Sequence, residues 1–275
     1  MSDPAPQKTP ISGCVICYQE ADRIEDCIRS LAFCDEVVVV DSGSTDGTPE
    51  KAAALGARVI TNAPFPGYRA QKQLAVDLAR YDWVFLLDAD ERVTPALRER
   101  IEQLRTSGLT TGGFSMPRRN HYLGRMVRGG VSYPDRKMRF FDRRVTVIGG
   151  RDPHDRMELL PGHTVVPLRE PIEHLSYRDF EHHLRTIDRF SRISAEAMHA
   201  EGRKGRWIDI VVRPTAIFLK SLILKRGFID GWRGVAIAAM SFRYDWIKYR
   251  RLWRLSRGLP IDPPNESKRG SVTSA

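Results

Sequence analysis

Cysteine is scarce in this chain, with four residues among 275, and their placement argues against a metal site. Cys14 and Cys17 form a CxxC pair, but the pair lies in GCVIC, an apolar segment with the composition of a β-strand. Residues three apart on a strand project to opposite faces, so the two thiols cannot converge on one ion. We therefore interpret the cysteines as small buried side chains in a reducing compartment.

The chain also lacks the apolar features that direct a protein into or across a membrane. Its first ten residues, MSDPAPQKTP, contain neither the basic region nor the apolar region of a signal peptide. We therefore expect residues 1–10 to form a flexible tail on a cytoplasmic protein. No uninterrupted apolar run approaches the ~20 residues that a spanning helix needs, because Asp209, Arg213 and Lys220 interrupt the best candidate.

Negative charge is scarce in the last hundred residues. The whole chain has a formal net charge of +10, from 44 Lys and Arg against 34 Asp and Glu. Residues 1–175 contain 24 Lys and Arg and 24 Asp and Glu, so their charges balance. Residues 176–275 contain 20 Lys and Arg but only 10 Asp and Glu. With 41% hydrophobic and 28% charged residues the chain has a globular composition, and the uneven charge indicates that its two parts meet different partners.

The N-terminal half alternates apolar strands with amphipathic helices. Predicted strands are ISGCVICY, EVVVVDS, RVITN and DWVFLLDAD, and predicted helices are ADRIEDCIRSLAF, TDGTPEKAAALGA and YRAQKQLAVDLAR. This alternation is typical of an α/β fold with a mostly parallel central sheet and helices on both faces. Beyond residue 108, MRFF and TVIG predict short strands, and DFEHHLRTIDRFSRISAEAMHAEGRK predicts a long helix.

Acidic and aromatic residues follow three of the predicted strands. Tyr18 and Glu20 follow the first strand, Asp41 lies at the end of the second, and Asp88 and Asp90 lie at the end of the fourth. Ligands of parallel sheets bind beyond the carboxyl ends of the strands. Two carboxylates one residue apart repel each other, and hard divalent cations prefer oxygen ligands. We therefore predict a divalent-cation site at the two aspartates, in preference to a turn or helix-capping role.

Several segments together carry a resemblance to a known family. VICYQEADRIEDCIRSL, VVVVDSGSTDGT, GYRAQKQLA and VFLLDADERV resemble the nucleotide-diphospho-sugar domain of family-2 glycosyltransferases, which has the GT-A fold. SYPDRKMRFFDRR, DPHDRMEL, IEHLSYRD and KRGFIDGWRGVAIA are similar to the branch that contains lipopolysaccharide core β-1,4-glucosyltransferases. The resemblance spans about residues 11–252. It implies inverting, metal-dependent transfer of a hexose from a UDP-sugar, expected to be UDP-glucose, to a lipopolysaccharide core or related lipid-linked glycan.

The resemblance implies roles for residues around the nucleotide. Tyr18, with Glu20 two residues on, matches the position of the side chain that stacks beside the base, and Asp41 matches the base-binding aspartate. Lys72, with Arg69 as an alternative, lies in the helix whose basic side chains face the nucleotide.

Further roles concern the ribose, the metal and the diphosphate. The resemblance implies that Asp88 meets the ribose, and that Asp90, the second acid of DxD, holds Mg²⁺ or Mn²⁺ through the diphosphate. Arg139 matches an arginine that can pair with diphosphate oxygens, and a surface arginine on an edge strand is an equal alternative. His174 is a candidate for reaching the metal or the diphosphate, although a lone histidine is more often structural.

A carboxylate is also expected near the acceptor. In an inverting transfer the acceptor hydroxyl loses its proton as the diphosphate leaves, and a nearby carboxylate can take that proton. Asp155, in PHDRM, occupies the position where related sequences carry an acid after His, and we favour it as the general base over Asp135 and Asp152. The family's GGWYPD appears here as GGVSYPD, a segment expected to face donor or acceptor.

The domain organisation is predicted from the charge shift and the resemblance. We expect a flexible tail (1–10), a GT-A domain (11–175) with a nucleotide-binding half (11–107) and an acceptor half (108–175), a helical basic region (176–257) and a second flexible tail (258–275). The helical region mixes apolar turns with Lys and Arg, and Trp232, Trp246 and Trp253 lie among its arginines. This pattern favours peripheral docking on an anionic membrane at the inner face of the plasma membrane, with a helical cap on the catalytic domain as the alternative.

Other function classes fit less well. A nucleic-acid-binding protein would leave the acidic strand ends unexplained, so we expect no nucleic-acid partner. A Mg²⁺ phosphatase of the haloacid dehalogenase type carries its DxD after the first strand, whereas here DADER follows the fourth. The glycine-rich loop of a sugar nucleotidyltransferase is missing after the first strand, where CYQEADRI stands. A polyprenyl-phosphate or other cell-envelope polysaccharide glycosyltransferase of the same family stays open as an alternative.

Overall fold

The computed structural model describes residues 8–131, 133–152 and 154–261. Residues 1–7 and 262–275, which belong to the two predicted tails, lie outside the described residues. The same holds for Ser132 in GGVSYPD and Pro153 in PHDRM.

Strands and helices alternate through the first half of the chain, and helices dominate its end. The strands are β1 (Ile11–Cys17), β2 (Glu36–Asp41), β3 (Arg58–Thr61), β4 (Trp83–Asp88), β5 (Glu91–Val93), β6 (Gly113–Tyr122), β7 (Arg125–Met126), β8 (Arg136–Asp142), β9 (Thr146–Arg151), β10 (His154–Leu159), β11 (Val165–Pro167) and β12 (Ile172–Tyr177). The α-helices are α1 (Ile24–Ser30), α2 (Thr48–Ala54), α3 (Tyr68–Asp77), α4 (Pro95–Ser107), α5 (Phe180–Ala200), α6 (Trp207–Leu219) and α7 (Trp232–Leu255). All four strands and three helices predicted for the N-terminal half are confirmed, with ends that differ by a few residues.

The main sheet has a parallel part and an antiparallel part. Its strand order is β3-β2-β1-β4-β8-β6-β12-β5. The strands β3, β2, β1 and β4 pair in parallel, whereas β8 pairs antiparallel with both β4 and β6, and β5 pairs antiparallel with β12. Strands β9 and β10 form a separate antiparallel ribbon. The fold is α/β, as predicted, and its antiparallel strands all come after the first four.

Apolar side chains of the parallel strands alternate between two hydrophobic cores, one on each face of the sheet. Cys17 belongs to the core that includes residues of α1 and α4, and Cys14 belongs to the core that includes residues of α3. The prediction that these two thiols project to opposite faces is therefore confirmed. Burial raises the pKa of both thiols well above the usual range, so each stays protonated at neutral pH.

The described residues fall into two compact units. The first comprises the described residues up to His121 together with those of Pro134–Ser176, and the second comprises those of Tyr122–Tyr133 and those from Tyr177 onward. The sequence placed residues 122–133 in the acceptor half, whereas they pack within the second unit. One reason is Asp230, whose carboxylate accepts from the backbone N–H groups of Arg128 at 3.0 Å and Gly129 at 2.7 Å.

The second unit consists mainly of α5, α6 and α7. Helix α7 packs against both α5 and α6, and the apolar cluster of this unit contains Ala195, Met198, Tyr249 and Leu252. The backbone at the start of α7 lies very close to the 3₁₀ turn Gly227–Asp230. Position 234 therefore requires glycine, because a Cβ there would lie 1.7 Å from the carbonyl oxygen of Gly227. Within the described residues, no helix combines the length and the apolar character needed to cross a bilayer.

His183 is the buried histidine of the second unit. Its ring stacks on Tyr177 with 3.7 Å between ring centroids, and its Nδ1 lies 3.1 Å from the hydroxyl of Tyr122. Burial, with a smaller contribution from the neighbouring His182, lowers the pKa of His183 from 6.5 to about 4. The imidazole is therefore neutral in the folded protein near neutral pH.

Acidification is expected to destabilise the second unit through His183. The unfolded chain takes up a proton near pH 6.5 and the folded chain only near pH 4, so stability contributed by this group falls as pH falls through that window. The whole shift corresponds to about 3 kcal/mol at most. We expect His183→Phe, which keeps an aromatic ring on Tyr177, to flatten the change in unfolding free energy between pH 7 and pH 5 in urea titrations. His199→Phe, at an exposed histidine of α5, is the matched control and should keep the wild-type slope; equal slopes in both variants would contradict the assignment.

Candidate active site

The carboxyl ends of β1, β2 and β4 lie side by side. Cys17 of β1 is in register with Asp41 of β2, and Ile16 of β1 is in register with Asp88 of β4. The backbone N–H of Ala89 donates to the carbonyl of Ile16 at 3.2 Å, which extends the pairing one residue past β4. The predicted meeting of three strand ends at one edge of the sheet is therefore confirmed.

Asp88 and Asp90 direct their carboxylates to different partners. The carboxylate of Asp88 lies 3.1 Å from Nζ of Lys72 and accepts from Nη2 of Arg139 at 2.6 Å. The carboxylate of Asp90 lies 3.3 Å from Nε2 of His174. Because each carboxylate has its own nitrogen partner, the two aspartates do not need a shared cation to offset their mutual repulsion.

The surroundings favour the ionised form of both aspartates. Burial alone would raise the pKa of Asp88, but the charges of Lys72 and Arg139 outweigh it and hold that pKa well below its usual range. Burial would likewise raise the pKa of Asp90, and the charge and hydrogen bond of His174 outweigh burial and the repulsion from Asp88, so this pKa is also lowered. Both carboxylates are therefore acceptors at neutral pH.

Seven side chains of alternating charge form a continuous chain of ion pairs through this site. In order they are Asp135, Arg118, Glu91, Arg139, Asp88, Lys72 and Asp155. The N···O distances between successive members run from 2.6 Å to 3.2 Å. This chain links the predicted donor residues on β4 and α3 to two of the three carboxylates predicted near the acceptor.

Glu91, which sequence analysis missed, lies at the centre of that chain. It is fully buried, and its Oε1 accepts from Arg139 at 2.7 Å and from Arg118 at 3.2 Å. Its Oε2 accepts from the backbone N–H of Asp88 at 3.1 Å, so it also fixes the turn that presents the aspartate. A sequence signal for its burial was available, because Glu91 and Val93 lie two residues apart and share a strand face.

Replacing Glu91 with glutamine should destabilise the fold strongly. Glu91→Gln leaves two largely buried arginines without their common carboxylate, and we expect the unfolding free energy to fall by about 3–5 kcal/mol. Glu173 is the matched control, because it pairs with Arg119 and His121, whose side chains are partly exposed. Glu173→Gln should cost at most about 1 kcal/mol in the same denaturant titration. If Glu91→Gln lowers the unfolding free energy as little as Glu173→Gln does, the stability of the ion-pair chain does not depend on Glu91.

The structure corrects one of the two interpretations of Arg139. The residue lies on β8, between β4 and β6 in the sheet, and only 3% of it is exposed. The alternative that treated it as a surface arginine on an edge strand is therefore wrong, because β8 has hydrogen-bonded neighbours on both sides. Its guanidinium donates at 2.6 Å to the carboxylate of Asp88, the residue predicted to meet the ribose.

Asp90 and His174 form the part of the site that fits a divalent cation. Nδ1 of His174 lies 2.6 Å from Oδ1 of Asn120 and 3.0 Å from Oγ of Ser176. With a cation bound, Nδ1 would donate to the Asn120 oxygen and Nε2 would present its lone pair to the ion in place of its hydrogen bond to Asp90, which is the arrangement of a metal-binding histidine. Throughout the described ranges, no three His, Cys, Asp or Glu side chains group as a complete metal site. A cation here would therefore take further ligands from a bound molecule and water, as Mg²⁺ commonly does with phosphates.

The loop after β1 leaves the side chain of Tyr18 accessible from solvent. Tyr18 follows β1 and is 45% exposed, so its ring is available to a planar partner. The backbone N–H of Glu20 donates to Oγ1 of Thr48 at 2.9 Å, which fixes the loop after β1 against the start of α2.

Asp41, predicted to bind the base, lies within the loop after β2. It is fully buried, and its Oδ2 accepts from the backbone N–H groups of Gly43 at 2.8 Å and Ser44 at 2.7 Å. Its Oδ1 accepts from the hydroxyl of Ser44 and lies 3.4 Å from Sγ of Cys17. Both oxygens therefore hold the loop after β2.

Of the two basic residues considered on α3, the structure brings Lys72 to the aspartates. Lys72 is 5% exposed and lies in the ion-pair chain, whereas Arg69 is exposed at the start of the helix. The backbone N–H of Arg69 donates to Oδ1 of Asp152 at 2.9 Å. The side chain of Arg69 therefore remains outside the cluster that contains Asp88.

The three candidate bases occupy different surroundings. Asp155 shares Lys72 with Asp88, at 2.9 Å from its Nζ. Asp135 pairs with Arg118 at 2.6 Å and lies 3.4 Å from Lys137; burial raises its pKa, and these two cations lower it by more. Asp152 accepts from the start of α3. Among these three, Asp155 is the carboxylate that shares a cation with Asp88.

The arrangement as a whole suits a phosphate-bearing ligand. The chain of ion pairs holds four carboxylates against three cations, so a phosphate-bearing ligand would depend on the further charge of a cation that Asp90 and His174 can hold. The carboxylate of Asp155 lies beside Lys72, at the same end of the chain of ion pairs as Asp88.

Comparison with known proteins finds relatives among glycosyltransferases. A profile of glycosyl transferase family 2 matches residues 12–154, more than half of the chain. The lipopolysaccharide core biosynthesis glycosyltransferase LpsC of Rhizobium meliloti is 28% identical, and the match covers 85% of this chain and 91% of LpsC. An uncharacterized glycosyltransferase of Rickettsia bellii is 27% identical, and that match covers 94% of this chain and 90% of the relative. Among solved structures, mannosyltransferase PcManGT from Pyrobaculum calidifontis, in complex with GDP-Man and Mn²⁺, is 16% identical, with 91% of this chain and 87% of that chain covered and a TM-score of 0.47.

Proposed function

The chain belongs to glycosyl transferase family 2, and from that premise we propose that this glycosyltransferase moves a hexose from UDP-glucose to a lipid-linked glycan with inversion at the anomeric carbon. Its α/β sheet with helices on both faces is the GT-A fold expected of the family. The similarity to LpsC over most of both chains supports a lipopolysaccharide core as the acceptor.

One observation carries the proposal. Lys72 lies between Asp88, at the end of β4, and Asp155, on β10, with distances of 3.1 Å and 2.9 Å. A residue assigned to the donor and a residue assigned to proton transfer therefore share one lysine. That arrangement is what a displacement needs, because the leaving group and the attacking hydroxyl must lie within one small volume.

The donor is proposed to lie across the carboxyl ends of β1 and β4. The exposed ring of Tyr18 would stack on the base, and Asp88 would accept from the ribose hydroxyls. Lys72 and Arg139, which pair with Asp88, would reduce the repulsion between that carboxylate and the diphosphate. Asp41 is proposed to lie beside the base, at the loop that its carboxylate holds after β2.

Asp90 and His174 are proposed to hold Mg²⁺ or Mn²⁺ together with diphosphate oxygens. When bound, the cation would neutralise negative charge that develops on the departing diphosphate. Asn120 and Ser176 would keep the imidazole of His174 in the orientation that presents Nε2.

Asp155 is proposed as the general base. The acceptor oxygen would form a bond to the anomeric carbon while the bond from that carbon to the diphosphate oxygen breaks, and the bonding electrons would leave with the diphosphate. The hydroxyl proton would pass to the carboxylate of Asp155, a contribution of about 10²–10⁴ in rate for a well-placed base. Lys72, beside both carboxylates, would stabilise the negative charge of the leaving group.

The acceptor class can be tested by direct transfer. Purified protein, Mn²⁺ and radiolabelled UDP-glucose would be incubated with lipopolysaccharide cores truncated at successive sugars, and separately with a polyprenyl phosphate. We expect label to enter one truncated core, and the anomeric coupling constant of the product to show a β linkage formed from the α-linked donor. Label only in the polyprenyl phosphate would favour the family alternative, and an α-linked product would contradict inversion.

A further inference from the structure

The second unit carries two apolar stripes that the described residues leave uncovered. On α6 and the π-helical turn after it, exposed apolar side chains recur about every four residues: Trp207, Ile208, Val211, Val212, Leu219, Ile223 and Leu224. On α7, exposed apolar side chains recur every three or four residues: Trp232, Val235, Ala239, Phe242 and Trp246. Within α6 itself only Pro214 is buried, so the apolar stripe of that helix does not contribute to the core of the unit.

The extent of exposure separates these stripes from ordinary surface residues. Leu224 is 77% exposed and Trp207 is 69% exposed, and Phe228 and Ile229 between the two helices are also exposed. Scattered single apolar residues are normal on a protein surface, but contiguous groups mark a surface that meets a partner.

The charges beside the stripes are of one sign. Three acids occur in residues 206–246, and each is already engaged: Asp209 pairs with Arg213, Asp230 accepts from the backbone of residues 128 and 129, and Asp245 pairs with Lys248. Six cations of the same segment have no ion-pair partner among the described residues: Arg206, Lys220, Lys225, Arg226, Arg233 and Arg243. The partner that this surface fits is therefore apolar and anionic.

Two exposed tryptophans hold a cation against the ring. The guanidinium of Arg233 lies 4.4 Å from the ring centroid of Trp232, and that of Arg250 lies 5.4 Å from the ring of Trp246. Aromatic rings and cations at the same level are typical of a helix that lies at the boundary between lipid headgroups and acyl chains.

We propose that α6, the turns of residues 220–230 and the apolar stripe of α7 form a docking surface for an anionic lipid bilayer. The apolar side chains would enter the headgroup boundary, and the unpaired lysines and arginines would contact acidic headgroups. A second copy of this chain fits less well, because two such surfaces would bring cations of the same sign together without acids to pair them. The inference extends the proposed function by naming the surface that would bring the enzyme to a lipid-linked acceptor, but it concerns lipid binding alone.

Vesicle co-sedimentation of the full chain tests the proposal with a matched pair of variants. The test variant is Val211→Ser/Val212→Ser, at two residues that are 58% and 55% exposed on α6. The control is Val165→Ser/Val166→Ser, at two residues that are 42% and 40% exposed on β11 in the first unit. A third variant, Lys220→Gln/Lys225→Gln, removes two unpaired cations and leaves the apolar stripe intact.

On phosphatidylcholine vesicles with 30% phosphatidylglycerol we expect the test variant to bind about 10-fold more weakly than wild type, because two apolar side chains no longer enter the lipid. The charge variant should also weaken by roughly 10-fold or more, and only on the anionic vesicles. The control should stay within about twofold of wild type. Equal binding by wild type and the test variant would overturn the proposal.

Sedimentation velocity without lipid tests whether a second copy of this chain, rather than lipid, covers the docking surface. A wild-type dimer that Val211→Ser/Val212→Ser converts to a monomer, with vesicle binding unchanged, would show that the surface joins two copies and would overturn the lipid proposal. Calorimetric binding of UDP distinguishes this outcome from failure of the proposed function, because a chain that binds vesicles and no nucleotide would retain the docking surface and lose the enzymatic assignment.

Discussion

Asp155→Asn should slow sugar transfer by about 10²-fold or more while leaving the affinity for the nucleotide donor nearly unchanged. The asparagine keeps the shape of the side chain but cannot take up the hydroxyl proton. Lys72 would retain its ion pair with Asp88 at 3.1 Å, so the charge at the donor side of the site would persist. Steady-state kinetics with saturating acceptor should show the loss in kcat, and calorimetry of UDP with Mn²⁺ should show a dissociation constant within a few-fold of wild type.

The alternative carboxylates provide controls of the same residue type. Asp152→Asn removes an acceptor of the Arg69 backbone N–H, and Asp135→Asn removes a partner of Arg118 and Lys137. Neither should lower kcat as much as Asp155→Asn. If Asp155 acts only by positioning Lys72, its variant would instead lose donor affinity, as Lys72→Met would. Normal transfer by Asp155→Asn would remove the residue from the mechanism.

Asp90→Ala should abolish the part of donor binding that depends on a divalent cation. A cation shared by Asp90, His174 and the diphosphate contributes several kcal/mol, so we expect affinity for UDP in the presence of Mn²⁺ to fall by about two orders of magnitude, to the level measured in EDTA. The lysine and arginine behind Asp88 are untouched by this substitution, and weak metal-independent binding should remain.

Asp82→Ala is the control for that substitution. Asp82 lies just before β4, at the opposite end of the strand from Asp88, and pairs with Arg144 on the surface. It should bind UDP as wild type does, with the same dependence on Mn²⁺. Unchanged donor affinity in Asp90→Ala with the metal present would rule out the role assigned to this carboxylate.

The strand edge of the site was predictable because the signals are local. Period and composition identify β1, β2 and β4, and parallel pairing then requires their carboxyl ends to meet, which brings Asp88 beside the residues after β1. The burial of Asp41 also had a local signal, since an aspartate followed by SGS commonly accepts from the backbone two and three residues later.

The charge chain was not predictable from the sequence. Arg139 reaches Asp88 only because β8 inserts antiparallel between β4 and β6, and the pairing of distant strands has no local signature. Glu91 and Arg118 meet through the same arrangement. Residues 122–133 join the second unit through Asp230, about a hundred residues further along the chain, for the same reason.

For the C-terminal helices, the sequence predicts the secondary structure but not what the apolar face contacts. An amphipathic pattern in residues 207–257 predicts helices with one apolar face, and α6 and α7 confirm the helices. The pattern does not determine whether that face packs inward, because core packing and membrane docking select the same residue types. The exposure of Val211, Leu224 and Trp207 in the folded chain supplies that information.

Calorimetric titration of UDP, GDP, CDP and dTDP into the wild-type protein, with and without Mn²⁺, tests the central claim most directly. We predict that one nucleotide, UDP, binds, and that Mn²⁺ strengthens its binding by about two orders of magnitude. Metal-dependent binding of another nucleotide would keep the site and change the donor. No binding of any nucleotide under either condition would contradict the account, because the strand edge would then have the family's fold without its chemistry.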